Sequence, residues 1–289
     1  MSKISDKLIR DFKKVKKINK VIDFSEAKKA RETLLKVNTD ISKIDRSEDL
    51  DPSHKVYVQI QNVLSYFSEE ISGFKEFKDY YEILEELDFE YMPSYPPMSP
   101  VTSSYFSYFC LCDLRFGKER ETISTIFKDI GVAYKYEDLF IKSIDNLIRS
   151  SMRFYKNLKV EDGLVELVDV ITNERKLCVS TSGYLGKPNE IWFVRLAPNL
   201  DDKFDYQIIL NTPYVVLKQD EEDWIKYFER QGIKKSDLNV EAKVLEKMKH
   251  NPNTKYWLNY IMDGYLNYES NCIFLTGIPD VKGSKPNEL

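Results

Sequence analysis

A chain of 289 residues holds enough material for one large domain or two modest ones, and its 42% hydrophobic content is ordinary globular usage. A formal net charge of −4 argues against a wholly basic nucleic-acid coat, and no apolar run approaches the ~20 residues needed to span a bilayer. Four cysteines are too sparse for a disulfide framework and the N-terminus lacks the apolar core of a secretory signal, so a cytoplasmic location is expected.

Residues 4 to 22 have the periodicity of an amphipathic helix. Ile4, Leu8, Phe12, Val15 and Ile22 make one apolar stripe. Lys13, Lys16, Lys17 and Lys20 fall at i, i+3, i+4 and i+7 and make a basic stripe on another face. The first forty residues carry 12 Lys or Arg against 6 Asp or Glu. Such a face suits an anionic partner, nucleic acid included, but lysines are also the commonest way to solvate a surface helix. No Arg or aromatic is interleaved among them to read bases. A second short helix is expected from Ser25 to Val37, followed by a polar linker to Pro52.

Ser53 is expected to cap a strong helix with Val56, Ile60, Val63, Leu64, Phe67 and Ile71 on one face, with a lone His54 in its first turn. Another helix runs from Phe74 to Leu87. Tyr91 to Pro100 holds four prolines, which enforce an extended connector. Ser103 to Arg115 is dense in aromatics and reads as a buried helix. Cys110 and Cys112 are separated by one residue with no neighbouring Cys or His to complete a zinc set, so buried thiols are expected. Asp113 and Arg115 emerge directly from this apolar run and form a candidate polar site. A helix from Thr122 to Ile130 should stop at Gly131. The longest helix is predicted from Tyr136 to Leu158, with Lys142, Arg149, Arg153 and Lys156 as a second basic stripe.

The pattern then changes period. Gly163–Val170 and Lys176–Ser180 read as a hairpin, followed by strands at Glu190–Leu196, Tyr206–Leu210 and Tyr214–Leu217. Trp192, Val194 and Leu196 alternate with Ile191, Phe193 and Arg195, so this strand should be covered on both faces. Pro213 argues for a break before the last of them. Three helices follow: one capped by Asp220, one from Ser236 to Lys249 and one from Lys255 to Tyr268. A final strand is expected at Asn271–Thr276, joining the sheet from a distance.

Two histidines and ten glycines leave little for His-based mechanisms or phosphate-cradling loops, and no nucleophile elbow or nucleotide fingerprint occurs. Acidic pairs such as Asp113 with Glu119, or Glu166 with Asp169, are cheap among 47 carboxylates. The expectation is an α+β protein with a mostly helical N-terminal part, a small antiparallel β-meander or partly closed barrel, and a helical C-terminal part. Its regions are a basic arm at 1–50, helices at 51–160, the β region at 161–218 and helices at 219–289, with 51–289 as one body. No catalytic residue, metal ligand or cofactor is assigned. The expected function is a non-catalytic module binding a protein partner. Nucleic-acid binding through Lys13, Lys16, Lys17 and Lys20 is one alternative, and a carboxylate hydrolase with bound metal is another. Nothing in the sequence sets the oligomeric state.

Overall fold

The computed structural model describes residues 3–17, 51–91, 105–250 and 253–286. The chain divides into two compact units, Met1–Pro93 with Ser107–Arg149 and Ser94–Phe106 with Ser150–Leu289. The expected helix at Ser25–Val37, the linker after it and nearly all of the Pro-rich stretch lie outside the described residues.

The first unit is helical. Helix α1 (Ile4–Lys17) buries Ile4, Leu8 and Phe12, the first three members of the expected stripe; the Val15 side chain and Ile22 lie outside the described residues. Its first turn is satisfied from far away in sequence: Glu121, itself buried, accepts from the backbone N–H of Ile4 at 2.7 Å and of Ser5 at 3.3 Å. A carboxylate at this position meets both the orphan donors and the positive end of the helix dipole. Helix α2 (Pro52–Glu70) is capped by Asp51, not Ser53, with Asp51 Oδ1 accepting from Ser53 N and His54 N and Pro52 opening the first turn. Helices α3 (Lys78–Tyr91), α4 (Ile123–Ala133) and α5 (Asp138–Arg149) also belong to this unit. Helix α4 carries a Thr122–Thr125 capping box and runs through Gly131 to Ala133, two residues beyond the expected stop. Phe67, Phe127, Tyr136 and Phe140 meet as tilted and edge-on pairs in its core.

The second unit is built on an eight-stranded sheet, part of which closes on itself. Its strands are β1 (Met152–Glu161), β2 (Leu164–Asp169), β3 (Arg175–Ser180), β4 (Ile191–Pro198), β5 (Gln207–Ile209), β6 (Tyr214–Leu217), β7 (Tyr265–Tyr268) and β8 (Ile273–Thr276). They pair in the order β1-β2-β3-β5-β4-β6-β8-β7, and an additional β1–β4 pairing closes β1-β2-β3-β5-β4 into a five-stranded barrel. The α+β class with a closing barrel therefore stands. Two pairings are not antiparallel: β3 with β5, and β6 with β8.

Two expected helices give way to strands before their predicted ends. The helix predicted to Leu158 ends at Arg149, and Met152 already begins β1, paired with β4 from Met152↔Arg195 to Lys156↔Ile191. The helix predicted to Tyr268 ends at Gly264 and continues as β7. The remote strand β8 does join the sheet, parallel to β6 with Val215 opposite Phe274. Pro213 sits just before β6, at the break its missing N–H required.

Alternation along the barrel strands defines two surfaces. Tyr155, Val165, Leu167, Cys178, Trp192, Val194, Leu196 and Ile209 point inward and form one buried cluster. The opposite side of β1 and β4 is roofed by helices α6 (Glu221–Arg230) and α8 (Tyr256–Gly264). Phe154 stacks on Phe193 with centroids 4.5 Å apart, and Trp224, Trp257 and Tyr260 surround the pair. Helix α7 (Val240–Lys249) packs near β1.

Candidate functional site

Among the described residues, three of the buried or partly buried charge clusters have a plain mechanical explanation. At one end of the barrel Arg153 points inward, in phase with Tyr155. Its guanidinium donates to Asp169 Oδ2 at 3.2 Å and to both oxygens of Glu241 on α7, one of them at 2.8 Å. The other Asp169 oxygen accepts from the backbone of Ile171 and Thr172 at 2.8 and 2.9 Å, shaping the turn after β2. Burial together with the Asp169 charge holds the Tyr155 phenol well above its ordinary value. The network thus ties the turn, the barrel wall and α7 together.

The second cluster closes the loop between β3 and β4. Glu190 accepts from the Tyr184 hydroxyl at 3.2 Å and from the Trp192 indole at 3.0 Å. Gly186 lies at φ +65°, and a Cβ there would come within 2.3 Å of Glu190 Oε2 and 2.5 Å of the Trp192 ring. Only glycine fits both the dihedral and the space. The carboxylate is consumed in latching a loop. The neighbouring Cys272 thiol is buried and pushed up to about 11, first by burial and then by Glu269 and Glu190. It is a poor nucleophile in that state.

The third cluster is the Glu121 cap of α1. Beside it a hollow of about 370 Å³ opens against Ile4, Lys7, Glu76 and Gly117. Glu121 is already committed to the helix, and the hollow's other charges, Lys7, Lys118, Glu76 and Glu119, are of mixed sign.

The residues singled out from sequence fall in different places. Lys13 is exposed on α1; Lys16 and Lys17 lie in its backbone with side chains outside the described residues, and Lys20 lies outside them altogether. Asp113 is buried at the end of a π-helical turn, Phe109–Asp113, and Arg115 is half-buried two residues on. Asp113 contributes, after burial and Asp88, to raising the Cys110 thiol well above its ordinary value. Cys110 and Cys112 are indeed buried thiols. The second basic stripe is divided: Lys142 and Arg149 are exposed on α5, while Arg153 and Lys156 lie on β1. Arg149 pairs with Asp145 at 2.7 Å, Arg153 is inside the network above, and Lys156, now on a strand, reaches Glu221 at 3.1 Å. Glu166 and Asp169 are also separated, because Glu166 faces outward to Arg175 while Asp169 faces Arg153. Among the described residues, no group of three or more His, Cys, Asp or Glu could hold a metal ion.

What the sequence reading missed is a surface. On the outer side of β2 and β3, Leu164 stands opposite Val179 and Glu166 opposite Leu177, with Arg175 next in line. Leu164 and Val179 are half-buried, and Leu177 is exposed. Beyond β3, Phe204 in the loop before β5 is 53% exposed and rests against Tyr206, ring centroids 5.5 Å apart. An aromatic in an otherwise acidic loop, Asp201-Asp-Lys-Phe-Asp205, was the available signal.

Fold and surface together define an α+β protein whose five-stranded barrel has one roofed wall and one open wall. No family model, curated protein or solved structure matches the chain. Among the described residues, no helix is long and apolar enough to cross a membrane.

Proposed function

We propose that the protein is a non-catalytic interaction module of the cytoplasm that docks a protein partner on the open wall of its barrel. The observation that carries this reading is the row Leu164, Val179 and Leu177 continuing toward Phe204, left partly in solvent while the other wall of the same barrel is sealed by aromatics. An apolar centre with a charged rim on a rigid sheet matches the general anatomy of a protein-binding surface. Phe89 and Leu238 are more exposed still, but Phe89 stands between Asp88 and Glu90, and isolated exposed apolar residues are ordinary.

Small five-stranded barrels can also bind oligonucleotides on this wall. Here the wall and its adjoining loop carry Glu161, Glu166, Asp201, Asp202 and Asp205 against Lys159, Arg175 and Lys203, an excess that disfavours a polyanion.

The test is affinity capture from a nuclease-treated extract with the wild-type chain and with the double variant Leu177→Asp/Phe204→Asp, compared by quantitative mass spectrometry. Both substitutions are on exposed side chains, so the melting temperature should stay nearly the same. The expected result is a defined set of proteins recovered by the wild type and lost by the variant. An identical set from both chains would overturn the reading.

A further inference from the structure

Resting on that reading, the charge around the apolar row points to the chemistry of the partner. The loop at 199–206 is held by its own polar groups. Asn199 Oδ1 accepts from Asp201 N at 2.8 Å, Asp201 Oδ1 accepts from Lys203 N at 3.0 Å, and Phe204 N donates to Asp201 O at 3.1 Å. This turn leaves Asp201, Asp202 and Asp205 in solvent with Lys203 as the one cation among them. Parallel pairing sets Cys178 beside Gln207, so Leu177 and Tyr206, each one residue earlier, are neighbours on the outer side. The acidic loop therefore borders the apolar row directly. On the sheet itself charge is more nearly matched, with Glu166 bonded to Arg175 at 3.2 Å.

We infer that the open wall receives a basic, apolar segment of another protein. Its bulky side chains cover Leu177 and Phe204, and its Lys or Arg side chains lie along Asp201, Asp202 and Asp205. Opposite charge around an apolar centre sets orientation and speeds encounter, while the apolar contacts hold the complex.

The probes are two labelled synthetic peptides of equal length, one alternating Lys with Leu and one alternating Glu with Leu, together with oligo-dT. Binding is followed by fluorescence anisotropy on the full chain. The Lys–Leu peptide should bind, and its affinity should fall about tenfold between roughly 50 and 200 mM salt. Asp201→Asn/Asp202→Asn/Asp205→Asn should weaken it about tenfold at the lower salt, and Leu177→Asp/Phe204→Asp should abolish it. Equal binding of the Glu–Leu peptide, tighter binding of oligo-dT, or an affinity unchanged in the aspartate variant would overturn the inference.

Sedimentation adds a further arm. A dimer that dissociates in the aspartate variant would assign the wall to a second copy of the chain and likewise overturn it. Should the Lys–Leu peptide fail to bind while capture from extract still depends on Leu177 and Phe204, the partner class is wrong and the docking wall stands. If neither depends on those residues, both fall.

Discussion

The outer sides of β1 with β4 and of β2 with β3 belong to one barrel, yet they meet different surroundings. The first places Phe154 and Phe193 under Trp224, Trp257 and Tyr260, and seven of the eight residues of β4 are buried. The second shows an alternation in which only the inward residues, Val165, Leu167, Asp169 and Cys178, are buried. A sheet needs one face in a core to be stable; a strand buried on both sides contributes twice to packing. The roofed wall is therefore where stability resides, and the open wall is free to carry recognition at little cost to the fold.

The contrast is broken most severely by removing the roof. Trp224→Ala should lose about 3–5 kcal/mol, because a fully buried indole leaves a cavity that Phe154 and Tyr260 cannot fill. Chemical denaturation would show it as a lowered midpoint.

Next in size is the barrel end. Asp169→Ala should cost about 3 kcal/mol, since Arg153 then keeps only the largely exposed Glu241 as a charged partner and the turn at Ile171 and Thr172 loses its acceptor. Arg153→Met paired with Asp169→Leu should recover part of that loss, which a double-mutant cycle would measure.

The smallest effect lies in the helical unit. Burial, offset in part by Asp51, lowers His54 below 6.5. The unfolded chain then takes up the proton first, so the contribution of His54 to stability is present above about pH 6.5 and declines as the pH falls below it. His54→Gln should flatten that part of the melting-temperature profile.

The sequence was most legible where one period ruled alone. The run from Ile191 to Ala197 carries bulky residues on both faces, Arg195 being its one polar member, and that strand is covered on both faces as expected. Around residue 150 two periods overlapped: Ile144, Ile148, Met152 and Tyr155 satisfy a helical stripe, but Ser150 and Ser151 end the helix and Arg153 turns inward in the strand's phase. A helical reading put that arginine on the surface. Which strands meet was also hidden, because β3 and β5 pair in parallel across a long connection and no local pattern encodes such a choice. Of the candidate site, Leu177 was readable as outward once Cys178 was inward; Phe204 lacked any periodic context.

The claim that the open wall is the docking surface is tested most directly by hydroxyl-radical footprinting of the captured complex against the purified chain. Protection is predicted at Leu177 and Phe204, with Phe89 on α3 labelled equally in both samples. Protection at Phe89 with Leu177 and Phe204 unchanged would contradict the account and move the interface to the helical unit.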